Sequence, residues 1–239
     1  MRHLRLLRVL VGSAGLAGCI ALLAGQVQAE AADYIPASIL VTAQSPITPN
    51  LFGTVALPVR AERYAAGWRR AGLDASSLPS MQQLVAPARG LSREQQIAYI
   101  QTAVTHNIRW MSDATEWGRH DYWASAAETL EHGAGDMENR AIVKMQALRT
   151  LGVPTRDLYM TMGRDKVGGP ITVLIVRMGR RFYVLDDLGG APVPAERRLG
   201  FEPMVTLGSN AAWIHGHPYA KAAWAGGTAT GAPRTGAPR

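Results

Sequence analysis

The stretch GAGDMENRAIVKMQALRTLGVP, Gly133 to Pro154, decides how this chain is read. Two glycines around Ala134 make a loop, and Asp136, Met137 and Glu138 follow it directly. The residues beyond suit a helix, with Ile142, Met145 and Leu148 three apart and Ala141 beside them. Gly152 and Pro154 stop it. The spacing predicts a helix over 137–151 whose first turn is presented by a glycine-rich loop. Backbone N–H groups at such an end point outward and favour an anion, which makes the position useful for chemistry. Yet the side chain delivered there is Met137, which cannot serve as nucleophile, acid or base.

Upstream the pattern is helical. Ser92-Arg93-Glu94-Gln95 is a capping box, and it opens a helix with Ile97, Ile100, Val104 and Ile108 at helical spacing. Val59 to Ala71 reads as a helix with Tyr64 and Trp68 one turn apart, and Ser125 to Leu130 as a short one. Arg109 to Tyr122 is mixed and polar and reads as a long loop. Downstream the period changes. Leu158–Met162, Thr172–Met178 and Arg181–Leu185 read as strands, with Gly179-Arg180 as a tight hairpin and Pro203–Leu207 as a further short strand. Helices first and antiparallel strands later indicate an α+β domain, helices packed on an antiparallel sheet.

The ends of the chain are of another kind. Arg2, Arg5 and Arg8 precede an uncharged apolar run from Val9 to Leu23, and Val27-Gln28-Ala29 offers small residues for cleavage before Glu30. Residues 1–29 therefore read as a signal peptide, which places the domain in the periplasm or outside the cell. Leu16-Ala17-Gly18-Cys19 supports an alternative, a lipoprotein anchored through Cys19. That is the only cysteine, so either route leaves the folded domain without a free thiol or a disulfide. Residues 30–58, with Pro36, Pro46, Pro49 and Pro58, read as an extended lead-in, residues 59–219 as the domain, and residues 220–239 as a disordered tail. The leader arginines account for three of the +7 charges and Arg234 and Arg239 for two more, leaving the body near +2. No basic stripe is evident, and nucleic acid is not an expected partner.

The stretches DYWAS (121–125), ETL (128–130), GAGDMEN (133–139), LGVP (151–154) and FYVLDDL (182–188) together resemble the bacterial transglutaminase-like cysteine peptidases. That family includes a periplasmic protease that clips surface adhesins during biofilm dispersal. The resemblance spans about Tyr64 to Tyr219 and implies a papain-like fold, with a cysteine at a helix N-terminus facing histidine and aspartate on a sheet. The family loop reads Gly-Asp-Cys-Glu-Asp, so Met137 holds the nucleophile position. Ile171 holds the histidine position, and Asp186 matches the aspartate. Two of three catalytic residues are thus replaced by apolar ones, which would form a small dry plug. The family's acidic residues around the cysteine also bind calcium. Asp136 and Glu138 match such positions while Asn139 replaces an acid; otherwise the two carboxylates cap and charge a helix start.

Other side chains carry groups capable of chemistry. Ser125 and Thr172 have hydroxyls but no predicted histidine partner. His132 precedes the glycine loop and His120 lies in the polar segment; solvated loop histidines are the plainer reading. His215 and His217 flank Gly216, with no third metal ligand evident, and read as a surface turn. Trp117 and Tyr122 are candidates to line a peptide groove. The expectation is an exported pseudo-peptidase that binds a peptide or protein of the cell envelope, such as a surface adhesin or a membrane receptor. A hydrolase with a replaced nucleophile and a structural envelope protein are the rivals.

Overall fold

The computed structural model describes residues 47–218. The proposed leader, most of the lead-in, Cys19 and the tail lie outside the described residues. Among the described residues no helix is long and apolar enough to cross a membrane.

The order of elements is β1 (Val55–Val59), α1 (Ala65–Ala71), α2 (Pro79–Val85), α3 (Arg93–Asn107), β2 (Arg109–Trp110), α4 (Asp113–Glu116), α5 (Ala126–His132), β3 (Ala134–Gly135) and α6 (Met137–Thr150), followed by β4 (Leu158–Arg164), β5 (Pro170–Met178), β6 (Arg181–Leu185), β7 (Val193–Pro194), β8 (Glu202–Leu207) and β9 (Ala212–Gly216). Seven strands form one sheet in the order β1-β9-β8-β4-β5-β6-β7, and every neighbouring pair is antiparallel. The α+β expectation holds in this form.

Local chemistry explains the helix starts. Ser92 Oγ accepts from Gln95 N while Gln95 Oε1 accepts from Ser92 N, so both ends of the box close on α3. Ser125 and Glu128 do the same for α5. Along β5 the side chains alternate. Leu174 and Val176 join the core between sheet and helices, with Ile142, Val143, Met145 and Leu148 of α6. Ile171, Val173 and Ile175 join a second cluster with Val184, Phe201 and Trp213. A period of two on a strand buried on both faces produces this division.

Three readings need correction. The end of the extended lead-in belongs to the sheet: residues 55–58 form most of β1, an edge strand, the place in a sheet that tolerates a proline such as Pro58. The helix expected over Val59–Ala71 begins only at Ala65, after that strand and a 3-10 turn at Glu62–Tyr64. His215 is not in a surface turn but on β9. Thr54 Oγ1 donates to Leu51 O, so it accepts from His215 Nδ1, and Thr206 Oγ1 then donates to Nε2, both at 2.8 Å. Burial pushes this imidazole down to about 4, so it stays neutral and serves as a strand-to-strand bridge.

One buried ionic cluster ties α6 to its surroundings. Arg140 Nη1 and Lys144 Nζ each lie 3.0 Å from a different oxygen of Asp187. Arg140 also donates to the carbonyls of Thr105 and Ile108 at the end of α3, and Lys144 donates to Asp186 O at 2.8 Å. Lys144 is 1% exposed, and burial pulls its ammonium below its ordinary value against the charge of Asp187. Removing the shared anion strands that cation. Asp187→Ala should cost about 3–5 kcal/mol in urea unfolding. Lys144→Met should cost clearly less, because Arg140 still pairs with Asp187; equal costs would show that the ion cluster does not hold α6.

Candidate functional site

The glycine loop is built to a tight tolerance. Gly133 closes α5 with φ of 63°, a left-handed conformation suited to glycine. A Cβ on Gly135 would lie 2.8 Å from Asn139 Cβ and 3.1 Å from Thr129 Cγ2, so only glycine lets the loop pass between α5 and α6. Parallel pairing of β2 with β3 pins the loop to the end of α3. Asp136 is the N-cap of α6, its Oδ1 accepting from Asn139 N at 3.0 Å.

Met137 is therefore the first helical residue. It is half-buried, less covered than a sealed plug requires, and packs against the cluster that contains Ile171, itself 7% exposed. Thr172 Oγ1 donates to Glu138 Oε1 at 2.6 Å, tying the start of α6 to the start of β5. Asp186 directly follows β6, the strand beside β5. Its carboxylate already has donors: Arg198 Nε at 3.0 Å on Oδ2 and Leu188 N at 3.1 Å on Oδ1. Arg198 was not anticipated. It lies 12 residues beyond Asp186 in an irregular segment, and no local pattern marks it.

The acidic residues at the loop are mutually perturbed. Burial, then the charge of Glu138, pushes the Asp136 carboxyl up to about 8. Burial also raises Glu138, against the lowering effect of the Thr172 hydrogen bond. Two carboxyls so placed keep a proton at neutral pH. Asn139, fully buried, has both ends of its amide committed: Oδ1 accepts from Ala124 N and Nδ2 donates to Asp113 Oδ1. Among the described residues no three His, Cys, Asp or Glu side chains come close enough to hold a metal ion. Calcium collects six to eight oxygens; beside Asp136 and Glu138 stand Asp113 and Asp121, whose charges help to raise the two carboxyls.

The remaining candidates divide. Tyr122 donates its hydroxyl to Glu128 Oε1, and the guanidinium carbons of Arg70 and Arg119 lie 4.5 and 4.8 Å from its ring centre. It lines a cavity of about 280 Å³ with Tyr64 and Trp123. Trp117 instead packs between Tyr122 and His132, at centroid distances of 4.9 and 4.4 Å. His132 faces Glu116 at 3.5 Å. Ser125 caps α5 and Thr172 serves Glu138, so neither hydroxyl bonds a histidine. His120 and His217 are exposed.

With this geometry in hand, comparison with known proteins gives a consistent answer. Residues 79–193 match the family described as bacterial transglutaminase-like cysteine proteinase. Among solved structures, LapG of Legionella pneumophila is 19% identical, over 66% of this chain and 90% of that one, with a TM-score of 0.50. Its calcium-bound form is also 19% identical, over 65% and 88%, with a TM-score of 0.51. At such identity the structural likeness is one of fold. No curated protein matches the chain. The family resemblance and the papain-like α+β fold read from the sequence both stand.

The raised carboxyl sets a pH-dependence. Asp136 ionises near 3.8 when unfolded and near 8 when folded. The folded state holds the extra proton between those values, so stability falls as pH rises through that window. Asp136→Asn keeps an N-cap acceptor and removes the titration. The variant should be more stable than the parent at pH 8 and lose much of the slope in a series of melts from pH 4 to 9. A parent-like slope would place the proton elsewhere.

Proposed function

We propose that this chain, a relative of the bacterial transglutaminase-like cysteine proteinases, is an exported pseudo-enzyme. It retains the family fold, has lost the catalytic cysteine and histidine, and acts by binding a peptide or protein of the cell envelope. The observation that carries the reading is the group at the N-terminus of α6. A thioether, Met137, stands where a thiolate is needed, and its sulfur has no proton to lose. Ile171 offers no base, and Asp186 is engaged by Arg198. The sole cysteine, Cys19, belongs to the leader-like segment. Export rests on that segment, with lipid anchoring through Cys19 as its variant. A surface adhesin or a membrane receptor is the partner class that the family resemblance favours, and the open cavity beside Tyr122 supports binding over a filled groove.

The hydrolase rival has less support, because the two nearest hydroxyls already serve as a cap and as a carboxylate donor. Calcium is not part of the proposal, which rests on the thioether of Met137 and the apolar Ile171. Adding calcium should leave the melting temperature unchanged; a rise that disappears in Glu138→Gln would restore a calcium site.

Activity tests follow from the same geometry. The purified protein should not cleave generic peptides or adhesin fragments. Met137→Cys alone should remain inactive, for want of an imidazole. Adding Ile171→His should do little while Arg198 occupies Asp186, and adding Arg198→Ala should raise the rate by about tenfold or more by freeing the carboxylate to orient the ring. Wild-type cleavage that survives Met137→Ala and vanishes in Ser125→Ala or Thr172→Val would transfer the protein to the hydrolase reading.

A further inference from the structure

The short segment Tyr122-Trp123-Ala124 is clamped on both sides of its tryptophan. Tyr122 N donates to Asp113 Oδ2, Ala124 N donates to Asn139 Oδ1 at 2.8 Å, and Asn139 Nδ2 closes the loop by donating to Asp113 Oδ1 at 3.2 Å. The backbone is thereby fixed to α4 and to the first turn of α6. Helix α1 then closes on the indole. A Cβ on Gly67 would lie 2.7 Å from the Trp123 ring, so only glycine lets the helix come this near. Tyr64, the residue that starts α1, stacks on the same indole with centroids 5.9 Å apart. Trp68 Nε1 donates to Gly208 O at 3.0 Å and ties α1 to the turn after β8.

This rigid aromatic floor belongs to the cavity of about 280 Å³ beside Tyr122, and three arginines line it too. The guanidinium carbon of Arg63 lies 4.9 Å from the centre of the Tyr64 ring, and those of Arg70 and Arg119 lie 4.5 and 4.8 Å from that of Tyr122. A guanidinium held against a ring face keeps its N–H fork available to an acceptor in its own plane. Among the described residues none of the three has a carboxylate within ion-pair distance. Asp121 is the one carboxylate in the lining, which leaves two positive charges in excess. Glu128 is engaged by the Tyr122 hydroxyl and by the amide of Ser125.

Size and shape select the occupant. Small-molecule pockets run from about 300 to 1,000 Å³, and this cavity falls just below that range, so it suits a single long side chain. Glutamate has what both parts of the lining call for: methylenes to lie on the rings, and a planar carboxylate that a guanidinium can hold through two parallel bonds. A membrane surface would be met by basic groups on a convex face, whereas these are drawn onto rings around a depression.

We propose that this cavity binds an acidic side chain, glutamate in preference to aspartate, of a peptide or protein partner. The carboxylate meets Arg70 and Arg119, the methylenes rest on the rings, and Arg63 lies at the rim. The proposal rests on the reading of this chain as a binding protein and gives that partner a chemistry.

The test is calorimetric titration of the full-length protein with acetyl-Ala-Ala-Glu-Ala-Ala-amide, with the same peptide carrying Gln, and with inorganic phosphate, alongside sedimentation with phosphatidylglycerol vesicles. At low salt the Glu peptide should bind about tenfold more tightly than the Gln peptide, the scale of one charge-assisted contact. The preference should shrink as salt is added. The double variant Arg70→Gln/Arg119→Gln should bind both peptides alike. Arg119 is exposed, so Arg119→Gln alone should melt like the parent and reduce the preference by about threefold, the scale of one exposed ion pair. Equal binding of the two peptides by the parent, or a preference undiminished in both variants, overturns the proposal. Phosphate binding more tightly than the Glu peptide overturns it in favour of a phosphate ligand. Vesicle binding that the double variant abolishes, without any preference for Glu, overturns it in favour of an anionic membrane. Failure of the pseudo-enzyme reading shows separately, as peptide cleavage, and a Glu preference measured beside it would still support this assignment of the cavity.

Discussion

The carboxylate of Asp187, held between Arg140 and Lys144, fixes the geometry on which the rest depends. Arg140 and Lys144 are four apart on α6, so both face the end of β6 from one side of the helix. Arg140 reaches at the same time to the last carbonyls of α3. One anion thereby sets the direction of α6 against both the sheet and its neighbouring helix. Burying these charges costs desolvation that hydrophobic residues would avoid. What the cluster adds is orientation, since apolar packing alone is tolerant of a sliding helix.

That orientation delivers the first turn of α6 to the start of β5, where Thr172 donates to Glu138. Each group there has a partner of its own. Met137 packs against the cluster of Ile171, Asp186 pairs with Arg198, and Asp136 and Glu138 keep a proton where acidic neighbours are crowded. Asn139 is spent on Ala124 and Asp113. The arrangement is self-consistent: a neutral thioether needs no cationic partner, and Asp186 has its cation in Arg198.

The sheet also separates two surfaces. The helical face carries α6 and the glycine loop. The opposite face, built on Ile171, Val173 and Ile175, carries the phenylalanine-lined concavity, and Met137 at the start of α6 packs against the same cluster. Alternation along a single strand is what assigns neighbouring residues of β5 to these two sides.

The sequence by itself determined the elements whose signals are local. The boxes at Ser92 and Ser125, the stop at Gly152 and the hairpin at Gly179 act over a few residues, so α3, α5, α6, β5 and β6 were legible. The glycine loop brought Met137 to notice, and the family resemblance, not spacing, pointed to Ile171 and Asp186. Strands defined by partners were not legible: β1 contains a proline and β9 looked like a turn, and both become strands only by pairing with each other and with β8. Trp117 and Tyr122 were indistinguishable as aromatic neighbours, yet one packs against His132 and the other lines a cavity. The capture of Asp186 by Arg198, the full commitment of Asn139 and the gathering of the phenylalanines needed the tertiary structure. Hydrogen bonds and apolar contacts between distant segments depend on where the chain returns, and no local pattern encodes that.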